Sequence, residues 1–77
     1  MLQKDNALAR SFFEKAILAN PNYAIAFNNL GVVLQGLRLH DDAKFSFGNA
    51  LNIRPNYPEA HFNTANTLFN LGDVFGA

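Results

Sequence analysis

Cysteine is absent from this 77-residue chain, which excludes a disulfide framework and a thiolate metal site, the staples on which many small folds depend. Charge is scarce and balanced: six Lys and Arg against six Asp and Glu give a formal net charge of zero. Without a basic excess, phosphate backbones and anionic lipid surfaces are poor partners, so neither nucleic acid nor a membrane surface is expected. Long apolar runs are missing too, and the Met1 end carries Lys4, Asp5 and Arg10 with no apolar block behind them. Nothing reads as a membrane span or a secretory signal, and a cytoplasmic location is expected. What is present is an apolar fraction of 49% in a chain short enough to bury only about 60% of its unfolded surface. That amounts to at most one small domain with a marginal core, held by packing or by a partner chain.

The sequence repeats itself. Asn20-Pro21-Asn22-Tyr23 returns as Arg54-Pro55-Asn56-Tyr57, and the same offset of 34 pairs Ala26 with Ala60, Asn29 with Asn63, Leu34 with Leu68 and Leu37 with Leu71. It also carries Ala9, Phe13 and Ala16 onto Ala43, Phe47 and Ala50. A fixed period of this length signals stacked units rather than one closed core. Within each period the apolar spacing is helical: Phe27, Leu30, Gly31, Leu34 and Leu37 form one i, i+3, i+4, i+7 stripe, and Ala43, Phe47, Ala50 and Leu51 form another. Small residues (Ala9, Ala16, Gly31, Ala43, Ala50, Ala65) alternate with large ones (Phe13, Phe27, Phe47, Leu68), the pattern of antiparallel helices that approach closely. Pro21 and Pro55 end helices, Pro58 suits a first turn, and Asp41 and Asp42 open a helix at its positive end. Helices are expected near 6–19, 24–37, 41–53 and 58–70. No segment alternates with period two, so strands are not expected.

A 34-residue helix-turn-helix unit with a large residue and then Leu-Gly in its first helix, and Ala, Phe, Ala and Pro in its second, resembles the tetratricopeptide repeat. Residues 24–57 fill one whole unit, with Phe27, Leu30, Gly31, Ala43, Phe47, Ala50 and Pro55 at signature positions. Residues 5–23 resemble the second helix of a preceding unit, and 58–77 the first helix of a following one, truncated. The resemblance implies an all-α fold, an α-solenoid of antiparallel helix pairs. There are departures. Arg38-Leu39 stands where the family has Gly-Asp at the inner turn, while Gly72-Asp73 keeps that pair in the last unit. His61, Thr64 and Ala65 replace an aromatic, Leu and Gly, which implies weaker or differently shaped packing there. Gly48 interrupts a helix at a cost of roughly 1 kcal/mol and reads as a close-contact position, or simply as a tolerated one.

About three units are normally needed for independent stability, and about two are present. The register leaves the helix of 6–19 and that of 58–70 each without its own partner. Two apolar faces, Phe12, Phe13 and Ile17 on one helix and Leu68, Phe69, Leu71 and Phe75 on the other, are expected to be uncovered. Neighbouring repeats of a longer array, or copies of the same chain forming a homo-oligomer, are the expected cover.

The resemblance also implies a concave groove lined by the first helix of each unit, where an extended peptide or partner helix lies. The candidate peptide-binding residues are Asn28, Asn29 and Val32 on one helix and Glu59, Phe62, Asn63, Asn66 and Asn70 on the next. Amides carry both donors and an acceptor and can bond a peptide backbone whatever its sequence. Asn29 and Asn63, one period apart, resemble the asparagine ladder of the O-linked N-acetylglucosamine transferases. The competing reading has these amides solvated or bonding neighbouring helices, and has Phe62 and Phe69 in the core. The Lys/Arg clamp with which some family members hold acidic peptide tails is missing from these positions, and Glu59 adds a negative charge. Neutral or mildly basic ligands are therefore expected.

Chemistry has little footing. His40 and His61 have no acidic neighbour at ligand-like spacing, Asp41 and Asp42 point apart and serve the helix dipole, and Gly31 to Gly36 lacks the Lys-Ser/Thr of a phosphate loop. No catalytic residue, metal site or cofactor is expected. The function expected is a non-catalytic protein-interaction scaffold. The rivals are homotypic self-assembly and a substrate-presenting appendage of an enzyme such as a glycosyltransferase.

Overall fold

The computed structural model describes the backbone of residues 2–74 and the side chains of residues 5–72. Four helices follow one another: α1 (Leu2–Ala19), α2 (Ala24–Gly36), α3 (His40–Ile53) and α4 (Pro58–Val74). Each packs on its neighbour in sequence, and α2 also touches α4. The result is a slab of 40 × 34 × 15 Å, wide along the stack and about one helix pair thick, as expected of an all-α solenoid. Among the described residues there is no strand.

The turns follow from local chemistry. Between α1 and α2, the Asn20 side-chain oxygen accepts the Asn22 N–H at 3.2 Å, and the Asn20 carbonyl accepts Tyr23 N–H at 3.1 Å. That Asx turn holds Pro21 where a helix cannot continue. Between α2 and α3, Arg38 N–H donates to the Gln35 carbonyl at 3.0 Å and Leu39 N–H to that of Leu34 at 2.9 Å. This pair of bonds is the Schellman motif, which requires a left-handed residue at its centre. Arg38 supplies it with φ at 67°, a conformation that suits Gly and strains any side chain. Arg38 thus takes the left-handed backbone that Gly would adopt at no steric cost.

The packing centres on Phe47. Its ring is fully buried, and Ala43, Ala50 and Ala60 are likewise at 0% exposure. Leu30, Leu34, Ala43 and Phe47 form one cluster, and Ala24, Ala50, Tyr57 and Ala60 another. Gly31 lets the two helices meet: a Cβ on it would lie 2.6 Å from Cδ1 and 2.7 Å from Cζ of Phe47. Across the same seam the Ser46 hydroxyl donates to the Phe27 carbonyl at 2.7 Å.

Five expectations are corrected. Phe13 and Ile17 turn inward and pack on the Phe47 cluster, so the outer face of α1 carries Leu8, Phe12 and Leu18 instead. Helix α1 begins earlier than residue 6, at Leu2. Gly48 makes no close contact, since a Cβ there would meet nothing within 4 Å; it is the tolerated glycine. Helix α4 runs through Gly72-Asp73 to Val74, so the pair lies within a helix and not at a turn; Gly tolerates the helical backbone there at a modest cost. Phe62 and Phe69 lie outside the core, at 67% and 69% exposure. The uncovered face of α4 is plain in one comparison: Leu34 is 5% exposed, whereas Leu68, its counterpart one period later, is 48% exposed. Helix α3 covers the first, and no described helix covers the second. Phe75 lies outside the described residues.

Candidate functional site

Helices α2 and α4 run parallel, N-terminal half beside N-terminal half, because each opens a unit of the same period. Between them Asn28, Asn29, Val32, Pro58, Glu59, Phe62 and Asn63 line an open groove of about 510 Å³. Six of the eight candidate residues therefore share one surface. Towards the other end of the same two helices, Asn70 lines a second recess with Gln35, Arg38 and His40, of about 400 Å³. Asn66 is exposed on the α4 turn between them and lines neither.

The amides do not all have the same work. Asn63 Nδ2 donates to Asn28 Oδ1 at 3.1 Å, joining the two helices across the floor of the groove. Asn28 is 5% exposed and lies beside Tyr57, the buried residue of the α3–α4 turn. Asn28 and Asn63 thus form an interhelical brace, in line with the reading of amides as structural bonds. Asn29 is half-buried with no side-chain bond among the described residues, and its donors and acceptor face no competing demand from the fold.

Electrostatics around the brace are set by burial. The Tyr57 hydroxyl is pushed above its ordinary value, first by burial and then by the Glu59 carboxylate, with Arg54 and the Asn28 side chain acting the other way. The Arg54 guanidinium sits 5.0 Å from the centre of the Tyr57 ring, a cation–π contact outside the groove lining. Phe62 and Val32 supply apolar surface. The groove thus offers an amide, two apolar contacts and one carboxylate in a trough open along its length.

Sequence reasoning missed Pro58 and Arg38 as lining residues. Arg38 belongs to a turn, and only its left-handed backbone brings it to the rim beside Asn70; the departure from Gly-Asp was the one signal available. His61 Nε2 donates to the Pro55 carbonyl at 2.8 Å and ties the start of α4 to the preceding turn. Among the described residues there is no cluster of three or more side chains that could hold a metal, and no helix long and apolar enough to cross a membrane.

Against known proteins, residues 12–45 match the family model described as tetratricopeptide repeat, a span of one period running from the middle of α1 through α2 into α3. Over 60 residues, 78% of its length, the chain is 32% identical to the peroxisomal targeting signal receptor of Saccharomyces cerevisiae. It spans only 10% of that receptor's length. No solved structure gives a significant match.

Proposed function

Because the chain belongs to the tetratricopeptide repeat family, and therefore to a class of repeats that engage other proteins, we propose that it binds an extended peptide segment of a protein partner in the groove between α2 and α4, without chemistry of its own. The observation that carries this reading is the groove itself: Asn29, Val32, Phe62 and Asn63, predicted from the repeat register, line one open trough. An extended peptide presents an N–H and a C=O at every residue, and amides on a rigid helix satisfy them without reading the side chains. Phe62 and Val32 add desolvated contact, and Phe62 in particular is exposed without a partner of its own. The receptor relative supports a role in protein recognition and does not name the ligand. On this reading residues 24–57 are one complete unit, with 5–23 and 58–77 belonging to the units on either side.

The test is binding of the chain to an array of capped nine-residue peptides, repeated with Asn29→Ala and with Phe62→Ala. Loss of binding in both variants, with unchanged unfolding midpoints, is expected. Retention of full binding by both would remove the groove from the account.

Self-association is the second reading, favoured by the exposure of Leu68 and Phe69 on α4 and of Leu8 and Phe12 on α1. Apolar faces of this kind seek cover. Light scattering over a concentration series should then give a mass that rises with concentration, while a constant monomer mass would exclude it.

A further inference from the structure

The face formed by α2 and α4 carries charge of opposite sign at its two ends. Glu59 lines the groove beside the first turn of α4, and Arg38 lines the recess at the other end, with Gln35 and Asn70. Neither takes part in an ion pair among the described residues, where the pair present is Arg10–Glu14 on α1. The surface between them is neutral: Asn28, Asn29, Val32, Phe62 and Asn63. Arg54, in the turn before α4, lies over the face of Tyr57. His40 also lines the Arg38 recess.

The distance between the two ends follows from the helix. Glu59 and Asn70 are eleven residues apart on α4, or about 16 Å at roughly 1.5 Å per residue. An extended chain advances about 3.3 Å per residue, so the same span takes about five residues.

Resting on the groove reading above, we propose that this face selects bipolar segments: extended peptides with a Lys or Arg side chain at the Glu59 end and an Asp or Glu side chain at the Arg38 end, four to six residues apart. The charges set orientation and register, while the amide and apolar contacts supply the sequence-independent part of the binding. Such ends act chiefly on specificity, because a wrongly placed like charge is penalised as well as a matching one rewarded.

The probe is a set of nine-residue peptides, N-acetylated and C-amidated so that no terminal charge competes, each with one Lys and one Glu in an Ala/Ser/Thr background at separations from two to seven residues. Peptides with the charges four to six residues apart should bind about two- to fivefold tighter than uncharged ones, the scale of an exposed ion pair. The preference should shrink at high salt. Arg38→Gln should abolish the preference for Glu alone and Glu59→Gln that for Lys alone. The double reversal Glu59→Lys with Arg38→Glu should restore the spacing preference with the charge pattern inverted. Equal binding of charged and uncharged peptides, or an acidic preference that survives Arg38→Gln, overturns the bipolar proposal while leaving the groove intact. No binding of any peptide, charged or not, overturns the groove reading and the proposal with it.

Discussion

Two glycines in adjacent helices should respond to the same substitution with opposite signs. Replacing a helical Gly by Ala contributes about 1 kcal/mol of stability through the backbone alone. At Gly48 the added methyl meets nothing within 4 Å, so that gain stands, and the melting temperature should rise by about 4–8 °C for a domain of this size. At Gly31 the same methyl would lie 2.6 Å from Cδ1 of Phe47, far inside van der Waals contact. The ring cannot retreat, since it is fully buried against Leu30, Leu34 and Ala43. Overpacking of this kind costs typically 1–3 kcal/mol and can outweigh the helical gain. The chain's whole stability should be about 4–11 kcal/mol at roughly 0.05–0.15 kcal/mol per residue. The assay is urea unfolding followed by circular dichroism on Gly31→Ala, Gly48→Ala and Gly31→Ala with Phe47→Leu. The last should lose less than the sum of its single changes, because the smaller side chain vacates the space. A stabilising Gly31→Ala would mean that α2 and α3 do not meet at the described distance, and the packing reasoning would fall.

Further outcomes follow from the same contacts. Phe47→Ala should cost about 3–5 kcal/mol, which at the lower end of that stability range leaves the chain largely unfolded by circular dichroism and at the upper end lowers the urea midpoint steeply. Arg38→Gly should raise the unfolding midpoint, by about 0.5–1 kcal/mol after the entropy of the freer unfolded chain is counted, and should also remove the acidic preference of the groove in the peptide assay. Asn63→Ala breaks the bond to Asn28 and should cost about 1 kcal/mol, and Asn28→Ala about 1–3 kcal/mol, whereas Asn29→Ala should stay within about 0.5 kcal/mol of the parent. Raising the pH should weaken the fold through Tyr57. Burial lifts its folded-state value above the unfolded one, so its contribution is complete below about pH 10 and declines as the pH climbs through the folded value. Phenolate absorbance and unfolding midpoints measured together would show it, and Tyr57→Phe should flatten the alkaline loss.

Much of the architecture was legible because the 34-residue offset repeats both the turn sequences and the small-large alternation of the helices. Pro21 and Pro55 fixed two turns by removing a donor, and Phe47 could be assigned to the core because Ala43 and Ala50 flank it at helical spacing. What escaped was direction within a face. Asn28 and Asn29 are adjacent in sequence, yet the first is buried in a brace to Asn63 and the second is not. Periodicity of 3.6 residues is too coarse to separate neighbours at the edge of a stripe. Phe12 and Phe13 pose the same problem, the first 67% exposed and the second packed on the Phe47 cluster. Arg38 was invisible for another reason: its position depends on a left-handed backbone that propensity assigns to glycine.

The most direct measurement is a titration of the isotopically labelled chain with one of the capped Lys/Glu peptides, following backbone and asparagine side-chain amide resonances by NMR. The groove account predicts that shifts concentrate at Asn29, Val32, Phe62, Asn63 and Asn66 and fade across the outer face of α3, where Phe45, Asn49 and Asn52 lie. Shifts centred on that outer face, or none at any concentration of peptide, would contradict it.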